Sequence, residues 1–336
     1  MKRRSLILGG TGFIGLRLAQ RIIALAGPED EVVLTDNLSR GCRDQEVENM
    51  LRSSANVRLL EIDLTEPTAF DRIEGVFDHV YLLASMVGVK RVESLPEQVL
   101  RINTLIILGA LEWMARSGSG RIFFSSTSEN YAGAYENGVL PVPTPESVPL
   151  VISDIRNPRF SYAVTKIWGE AAAIFYGARH GFTSVIGRYH NIYGPRMGYD
   201  HVIPQLSVRI IQGEDPLGVM NPEHTRAFCH VDDAVEATRL LMDAPIKNGT
   251  IVNIGNNNEE LAIGELANRL LRLAGRRPEF VSRQAPRGSV ARRVPALDLL
   301  RQLTAFCPAV PLDKGLAETF AWYRLHSAEN PKNGKR

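Results

Sequence analysis

Tyr162 and Lys166 stand four residues apart in "SYAVTK", so on a helix both project from one face. An ammonium beside a phenol stabilises the phenolate and lowers a pKa of about 10, which makes a base able to take a proton from an alcohol. No other tyrosine among the nine has a lysine four residues on. Upstream, "FSSTSENY" (124–131) closes an apolar run with four successive hydroxyl or carboxylate side chains, Ser126, Thr127, Ser128 and Glu129. Strand-end serines commonly bond to backbone, and Ser126 and Ser128 fit that role as well as a chemical one. A carboxylate just beyond a buried strand needs a partner or a role. Thr127, Ser128, Glu129, Tyr162 and Lys166 are therefore the catalytic candidates.

A second set begins at "GGTGFIG". Gly9, Gly12 and Gly15 follow an apolar strand and open a helix whose free N–H groups and dipole suit a pyrophosphate. A tight strand-to-helix turn has the same glycines, so Asp36 matters. It ends the second strand at a distance suited to accepting from both ribose hydroxyls of an adenosine, which favours NAD and repels a 2′-phosphate. Arg40, close by, keeps NADP open. Asp63 in "EIDL" suits adenine contact or a turn equally. Phe13, Ile14, Asn37, Leu64 and Ala84, in the same strand-end segments, complete the expected cofactor shell.

The elements that must position these groups alternate in the N-terminal half. "SLIL", "EVVLTD", "VRLLEID", "HVYLLAS" and "RIFFSS" are short apolar runs separated by amphipathic segments. That pattern predicts an α/β fold with a doubly wound parallel sheet covered on both faces. After the Pro-rich "GVLPVPTPESVPL" come a helix around "RFSYAVTKIWGEAAAIFYGARHG" and a strand at "TSVIGRYH". Beyond about residue 190 the order is less regular, which predicts a smaller α/β lobe. The expected domains are 1–188 with about 227–255 for the dinucleotide, and 189–226 with 256–330 for the substrate. The polar tail 331–336 is expected to fray.

Composition narrows the partners. The 336 residues are 44% hydrophobic and 23% charged, and 39 basic residues face 37 acidic ones, so no net charge favours nucleic acid or an anionic membrane. No stretch approaches a membrane span. Cys42, Cys229 and Cys307 are odd in number and lack ligand spacing, which predicts neither a disulfide framework nor a metal site and fits a reducing cytoplasm. His190, His224 and His230 also lack ligand spacing and are expected to be structural.

Taken together, the N-terminal glycines, a Ser/Thr strand end, Tyr-xxx-Lys 35 residues after Thr127, and "RYHNIYGPR" resemble the extended short-chain dehydrogenase/reductases acting on nucleotide sugars. The resemblance runs on through "TRAFCHVDDAVEA" and "IVNIGNNNEELAIGELANRLL". Within the family, "STSE", "NPRFSYAVTK", "GPRM", "TRAF" and "NIGNNNEELAIGEL" look most like the UDP-glucuronate decarboxylases. "GRYHNIYGP" is also similar to GDP-mannose 3,5-epimerase, but the cysteine that enzyme uses is absent from "STSEN".

The resemblance implies that Thr127 binds the sugar's 4-hydroxyl beside Tyr162 while a hydride leaves carbon 4 for the nicotinamide. The family's dehydratases carry Asp-Glu after that Thr; here the pair is Ser128-Glu129, which disfavours dehydration and matches decarboxylation. It also implies that Glu129 helps handle the proton at carbon 5, that Arg226 binds the diphosphate, that Arg293 binds a substrate carboxylate, and that Asn191 bonds diphosphate or sugar. Tyr189 is implied to lie near the nicotinamide. The matching helices of the family form a dimeric four-helix bundle, and segments 99–116 and 160–180 are apolar on more than one face, so a homodimer is expected. Epimerisation, net reduction and a non-catalytic NAD sensor stay open at this point.

Overall fold

The computed structural model describes residues 2–284 and 290–327; the tail expected to fray lies outside the described residues. In chain order the first half comprises β1 (Arg4–Leu8), α1 (Phe13–Leu25), β2 (Glu31–Asp36), α2 (Gln45–Ser53), β3 (Val57–Glu61), β4 (His79–Leu82), α3 (Val89–Ser94), α4 (Pro96–Ser117), β5 (Arg121–Thr127), α5 (Ala132–Glu136) and α6 (Arg159–His180). The second half comprises β6 (Thr183–Tyr189), β7 (Ile192–Tyr193), α7 (Val202–Ile211), β8 (Leu217–Met220), β9 (Thr225–Ala227), β10 (Cys229–His230), α8 (Val231–Asp243), β11 (Thr250–Ile254), β12 (Glu260–Ala262), α9 (Ile263–Ala274), β13 (Phe280–Arg283), β14 (Arg292–Arg293), α10 (Asp298–Thr304) and α11 (Leu312–His326).

Seven parallel strands form the central sheet in the order β3-β2-β1-β4-β5-β6-β11. The expected doubly wound sheet is therefore present. Because side chains alternate along a strand, neighbouring residues serve opposite faces. Ile7, Phe123 and Val185 join Leu16, Leu18, Val235 and Leu241 under α1 and α8. Leu6, Leu8, Phe124 and Ile186 instead join Ile107, Leu111, Trp113 and Ala173 under α4 and α6. Burial on both faces explains why these strands read as continuous apolar runs. The chain order reverses between β1 and β4, and in such sheets ligands bind beyond the carboxyl ends of the strands at that switch point. Gly9, Asp36, Ala84 and Thr127 all lie at those ends.

A second core holds the lobe, with Leu206, Ile210, Leu266, Leu270, Leu316 and Tyr323 from α7, α9 and α11. Its three-stranded sheet has the order β12-β9-β14. One boundary differs from expectation. Leu297, Leu300 and Phe306, assigned by sequence to the lobe, pack in the core of the sheet domain with α8. The physical reason is α8 itself: it leaves an apolar flank beside β11, the edge strand, and α10 closes it.

The Pro-rich segment bridges the two parts. Thr144 N–H donates to Val294 O at 2.9 Å, and Ala296 N–H returns a bond to Thr144 O at 2.9 Å. These bonds hold β14 where Arg293 reaches back over the end of β5.

Candidate active site

The turn after β1 is shaped by what a side chain would strike. Gly9 has φ +91, and a Cβ there would lie 2.7 Å from Ala84 N, while a Cβ on Gly15 would lie 2.1 Å from Gly9 O. Glycine at both positions lets α1 start directly against the turn. Gly12 caps α1 without a side-chain bond, so the first-turn N–H groups keep their capacity for an anion. Asp36 is buried and accepts from Thr11 N–H at 3.1 Å and Leu38 N–H at 2.9 Å. Asp63 accepts from Thr65 N–H at 2.9 Å and Asn37 Nδ2 at 3.2 Å. Burial alone would raise its pKa, but these bonds hold it below the usual carboxylate value. Leu64 lies in the core, and Phe13 and Ile14 pack half-buried on α1, so any polar contact they offer a ligand comes from backbone. Arg40 is not placed over Asp36: its Nη1 donates to Val87 O at 3.0 Å, spanning the groove.

Four residues of α6 form one stripe at spacings of three or four: Arg159, Tyr162, Lys166 and Glu170. Lys166 is buried, and its Nζ donates to Ser125 O at 2.8 Å, 5.6 Å from the Tyr162 ring centroid. Burial pushes its pKa down to about 7 against the pull of Glu170. The expectation that Lys166 lowers the Tyr162 pKa needs correction. Burial and the charge of Glu129 raise the phenol, and the opposing influences are Arg40 and a hydrogen bond with Thr127. Lys166 Nζ is directed past the ring at the Ser125 carbonyl of β5. Thr127 Oγ1 also accepts from Glu129 N–H at 3.2 Å.

Glu129 sits between two guanidiniums. Arg293 Nη1 meets one oxygen at 2.6 Å and Arg159 Nη2 the other at 2.9 Å. Arg293 also donates to Ser128 Oγ at 3.4 Å. Burial opposes the charged form, yet the two arginines outweigh it and hold the Glu129 pKa down at about 2. Held this way it is a poor base, so the proton-handling role expected of it does not belong to the arrangement seen here.

The remaining expected ligands are engaged within the protein. Arg226 donates to Thr225 O at 2.7 Å, Val290 O at 2.5 Å and Ala291 O at 3.3 Å, tying β9 to the β14 segment. Asn191 has φ 44, and its Nδ2 donates to Ala227 O at 3.0 Å. The Tyr189 side chain does not face a nicotinamide site. Its register partner is Thr127, but its ring enters the core 5.9 Å from Phe123 and its hydroxyl pairs with Thr238 at 2.7 Å. An aromatic ring on the α8 face of β6 is buried by α8, which leaves only backbone at the strand end.

Beneath the site lies a buried network that the motifs did not announce. Glu170 accepts from Arg188 Nε at 2.8 Å, Arg188 Nη2 at 2.6 Å, Asn130 Nδ2 at 2.9 Å and the Ser126 hydroxyl. Ser126 and Arg188 are register partners in β5 and β6, so one carboxylate on α6 clamps both strands beside Thr127. Arg188 Nη1 continues to Tyr131 Oη at 2.8 Å. The available signals were a glutamate four residues after Lys166 and an arginine inside an apolar strand. Asn103 of α4 does similar work at β4, accepting from Met86 N–H at 2.7 Å. The histidines are hydrogen-bonded within the protein. His190 Nε2 bonds Asn253 Oδ1 at 2.9 Å with its pKa pushed down by burial to about 3, and His230 caps α8 by accepting from Asp232 N–H at 3.3 Å. His224 pairs with Asn221 at 3.2 Å. Among the described residues no group of three side chains is arranged to hold a metal, and no helix is long and apolar enough to cross a membrane.

Residues 5–255 match the NAD dependent epimerase/dehydratase family. The chain belongs to this family. Its cofactor is accordingly NAD, and the glycine turn, the uncapped start of α1 and Asp36 are the features that fit it. Members of the family with similar sequences include a UDP-N-acetyl-alpha-D-glucosaminuronate decarboxylase of Bacillus cytotoxicus, 32% identical over 96% of this chain and 98% of that protein. A UDP-glucuronic acid decarboxylase of Arabidopsis thaliana is 30% identical over 93% of this chain and 87% of that one. Among solved structures, the UDP-glucose 4-epimerase of Thermotoga maritima superposes with a TM-score of 0.81 at 27% identity, covering 96% of this chain and 99% of that one. Family membership makes the chain an enzyme by descent, and Lys166 of α6 meets β5 two residues before its end at Thr127.

Proposed function

We propose that this enzyme is an NAD-dependent decarboxylase of a UDP-linked hexuronate. The observation that carries the reading is the pair of guanidiniums, Arg159 and Arg293, converging on Glu129 beside Thr127 and Tyr162. A carboxylate-bearing sugar needs such cations; a neutral hexose does not. Ser128, in the place where a dehydratase of the resembling family carries an acid, fits a reaction with no hydroxyl to expel.

Bound NAD supplies a reversible hydride acceptor for carbon 4. Thr127 holds the 4-hydroxyl, Tyr162 receives its proton in the phenolate form, and Lys166 fixes the strand end that carries Thr127 through the Ser125 carbonyl. The resulting 4-ketone makes the uronate a β-keto acid. The bond from carbon 5 to carbon 6 breaks, its electrons pass to the carbonyl as an enolate, and carbon dioxide leaves. A proton returns to carbon 5, Tyr162 gives back its proton as the ketone is reduced, and no net oxidant is consumed. Arg293 holds the carboxylate, Arg226 adds positive charge toward the diphosphate, and Asn191 bonds diphosphate or sugar.

A homodimer through α4 and α6 accords with exposed Leu100, Trp168 and Phe175, the last 71% accessible. Light scattering at micromolar concentration tests it, and a monomer counts against it. A cytoplasmic setting accords with three cysteines that form no disulfide. The similarity to a 4-epimerase structure supports a second reading, epimerisation, which uses the same Thr, Tyr and Lys. Incubation with UDP-glucuronate and UDP-N-acetylglucosaminuronate, with product mass and carbon dioxide measured together, decides between them. A changed configuration without carbon dioxide overturns decarboxylation. Arg293→Ala is expected to weaken UDP-glucuronate by about 1.5–3 kcal/mol more than UDP-glucose, and an equal loss would place Arg293 on the diphosphate.

A further inference from the structure

Arg159 is the first residue of α6, one turn before Tyr162, and so it faces the strand end that Tyr162 faces. Its Nη2 lies 2.9 Å from Glu129 and its Nη1 3.9 Å from Glu136. Arg293 reaches the other oxygen of Glu129 from β14, 2.6 Å away. One carboxylate is thus shared by a guanidinium from the catalytic helix and a guanidinium from the substrate lobe. Arg226 of β9 is the register partner of Arg293, and its guanidinium donates to the carbonyls of Thr225, Val290 and Ala291. Arg159 and Arg293 thus share Glu129, with Glu136 near the second nitrogen of Arg159. Two guanidiniums bridged by a planar carboxylate is also the arrangement a bound carboxylate ligand would adopt.

We propose that Glu129 stands in for the ligand carboxylate while the site is free of substrate, and that Arg159 is a specificity-determining residue that passes from Glu129 to the hexuronate carboxylate on binding. This rests on the hexuronate reading above. A neutral hexose brings nothing to exchange, so Glu129 stays locked between its two cations. A hexuronate takes one of them, and Glu129, relieved of that cation beside carbon 5, regains proton affinity. The exchange couples recognition of the carboxylate to release of the neighbouring acid/base group.

The test uses the purified NAD-loaded enzyme and titration calorimetry with UDP-glucuronate and UDP-glucose. Arg159→Ala is expected to weaken UDP-glucuronate by about 10- to 150-fold while UDP-glucose changes by less than about threefold. Arg159→Lys, which keeps charge but not the forked geometry, is expected to fall between. Equal losses for the two ligands, or none, overturn the proposal. Glu129→Gln gives an independent arm. Removing the competing charge is expected to leave UDP-glucuronate binding unweakened or tighter, and selectively weaker uronate binding overturns the proposal. NAD affinity of each variant reports folding. Wild-type carbon dioxide release is measured beside these arms. Its absence, with selective uronate binding that depends on Arg159, defeats the decarboxylase reading and leaves the exchange standing. Its presence, with Arg159→Ala still selective, does the reverse.

Discussion

Glu170→Gln perturbs the charge under the catalytic helix without changing its shape. Glu170 takes four hydrogen bonds, two of them from Arg188, and both residues are almost wholly buried. An amide keeps one acceptor oxygen but turns an NH2 group toward a donor, so at least one bond to Arg188 is lost and its charge is left uncompensated. Removing one partner of a buried ion pair costs about 3–5 kcal/mol. Urea denaturation followed by fluorescence is expected to show a loss of that size. Lys166 changes as well, because Glu170 raises a lysine pKa that burial has pushed down to about 7. Without Glu170 the lysine loses its proton at lower pH, and the alkaline limb of kcat/KM is expected to move toward acid. Replacing both members, Glu170→Gln with Arg188→Met, removes the stranded charge and is expected to restore most of the stability but not the pH profile. If Glu170→Gln leaves stability and the alkaline limb unchanged, the clamp described for Ser126 and Arg188, and the influence of Glu170 on Lys166, are wrong.

Other expectations follow from single contacts. Tyr162→Phe is expected to lower turnover by about 10²–10⁴-fold with NAD affinity near wild type, as judged by single-turnover kinetics and calorimetry. NAD is expected to bind more tightly than NADP, because Asp36 holds a carboxylate at the adenosine end while Arg40 is directed at Val87 O; calorimetry with the reverse order would refute this. Acid stability is expected to depend on Glu129. Its folded pKa of about 2 lies below the ordinary value of 4.5, so its stabilising effect is complete above the latter and is lost as pH falls through that window. Glu129→Gln should flatten the stability profile there. Lys166 works in the opposite sense. Its folded pKa of about 7 lies below 10.5, so the unfolded chain binds the extra proton and stability rises with pH across that interval, a slope that Lys166→Met should reduce.

Much of this protein is set by local pattern. Apolar runs such as "SLIL" and "RIFFSS" can only be strands buried on both faces, and Gly9 and Gly15 occupy places where a Cβ would strike backbone. Such features depend on neighbours within a few residues, so the sheet, the dinucleotide turn and the Tyr162–Lys166 stripe are readable in one dimension. Which charge meets which is another matter. Arg293 comes to Glu129 from 164 residues away, Arg188 and Glu170 meet only because β6 lies beside β5, and Tyr189 turns into the core because α8 covers its face. The strength and even the sign of an electrostatic effect depend on distance, burial and every other charge nearby, and these are quantities of the packed structure. For that reason the sequence by itself determined which groups could do chemistry at this strand end, whereas the tertiary structure decided that Lys166 serves the backbone of β5 and that Glu129 is held as an ion-paired carboxylate.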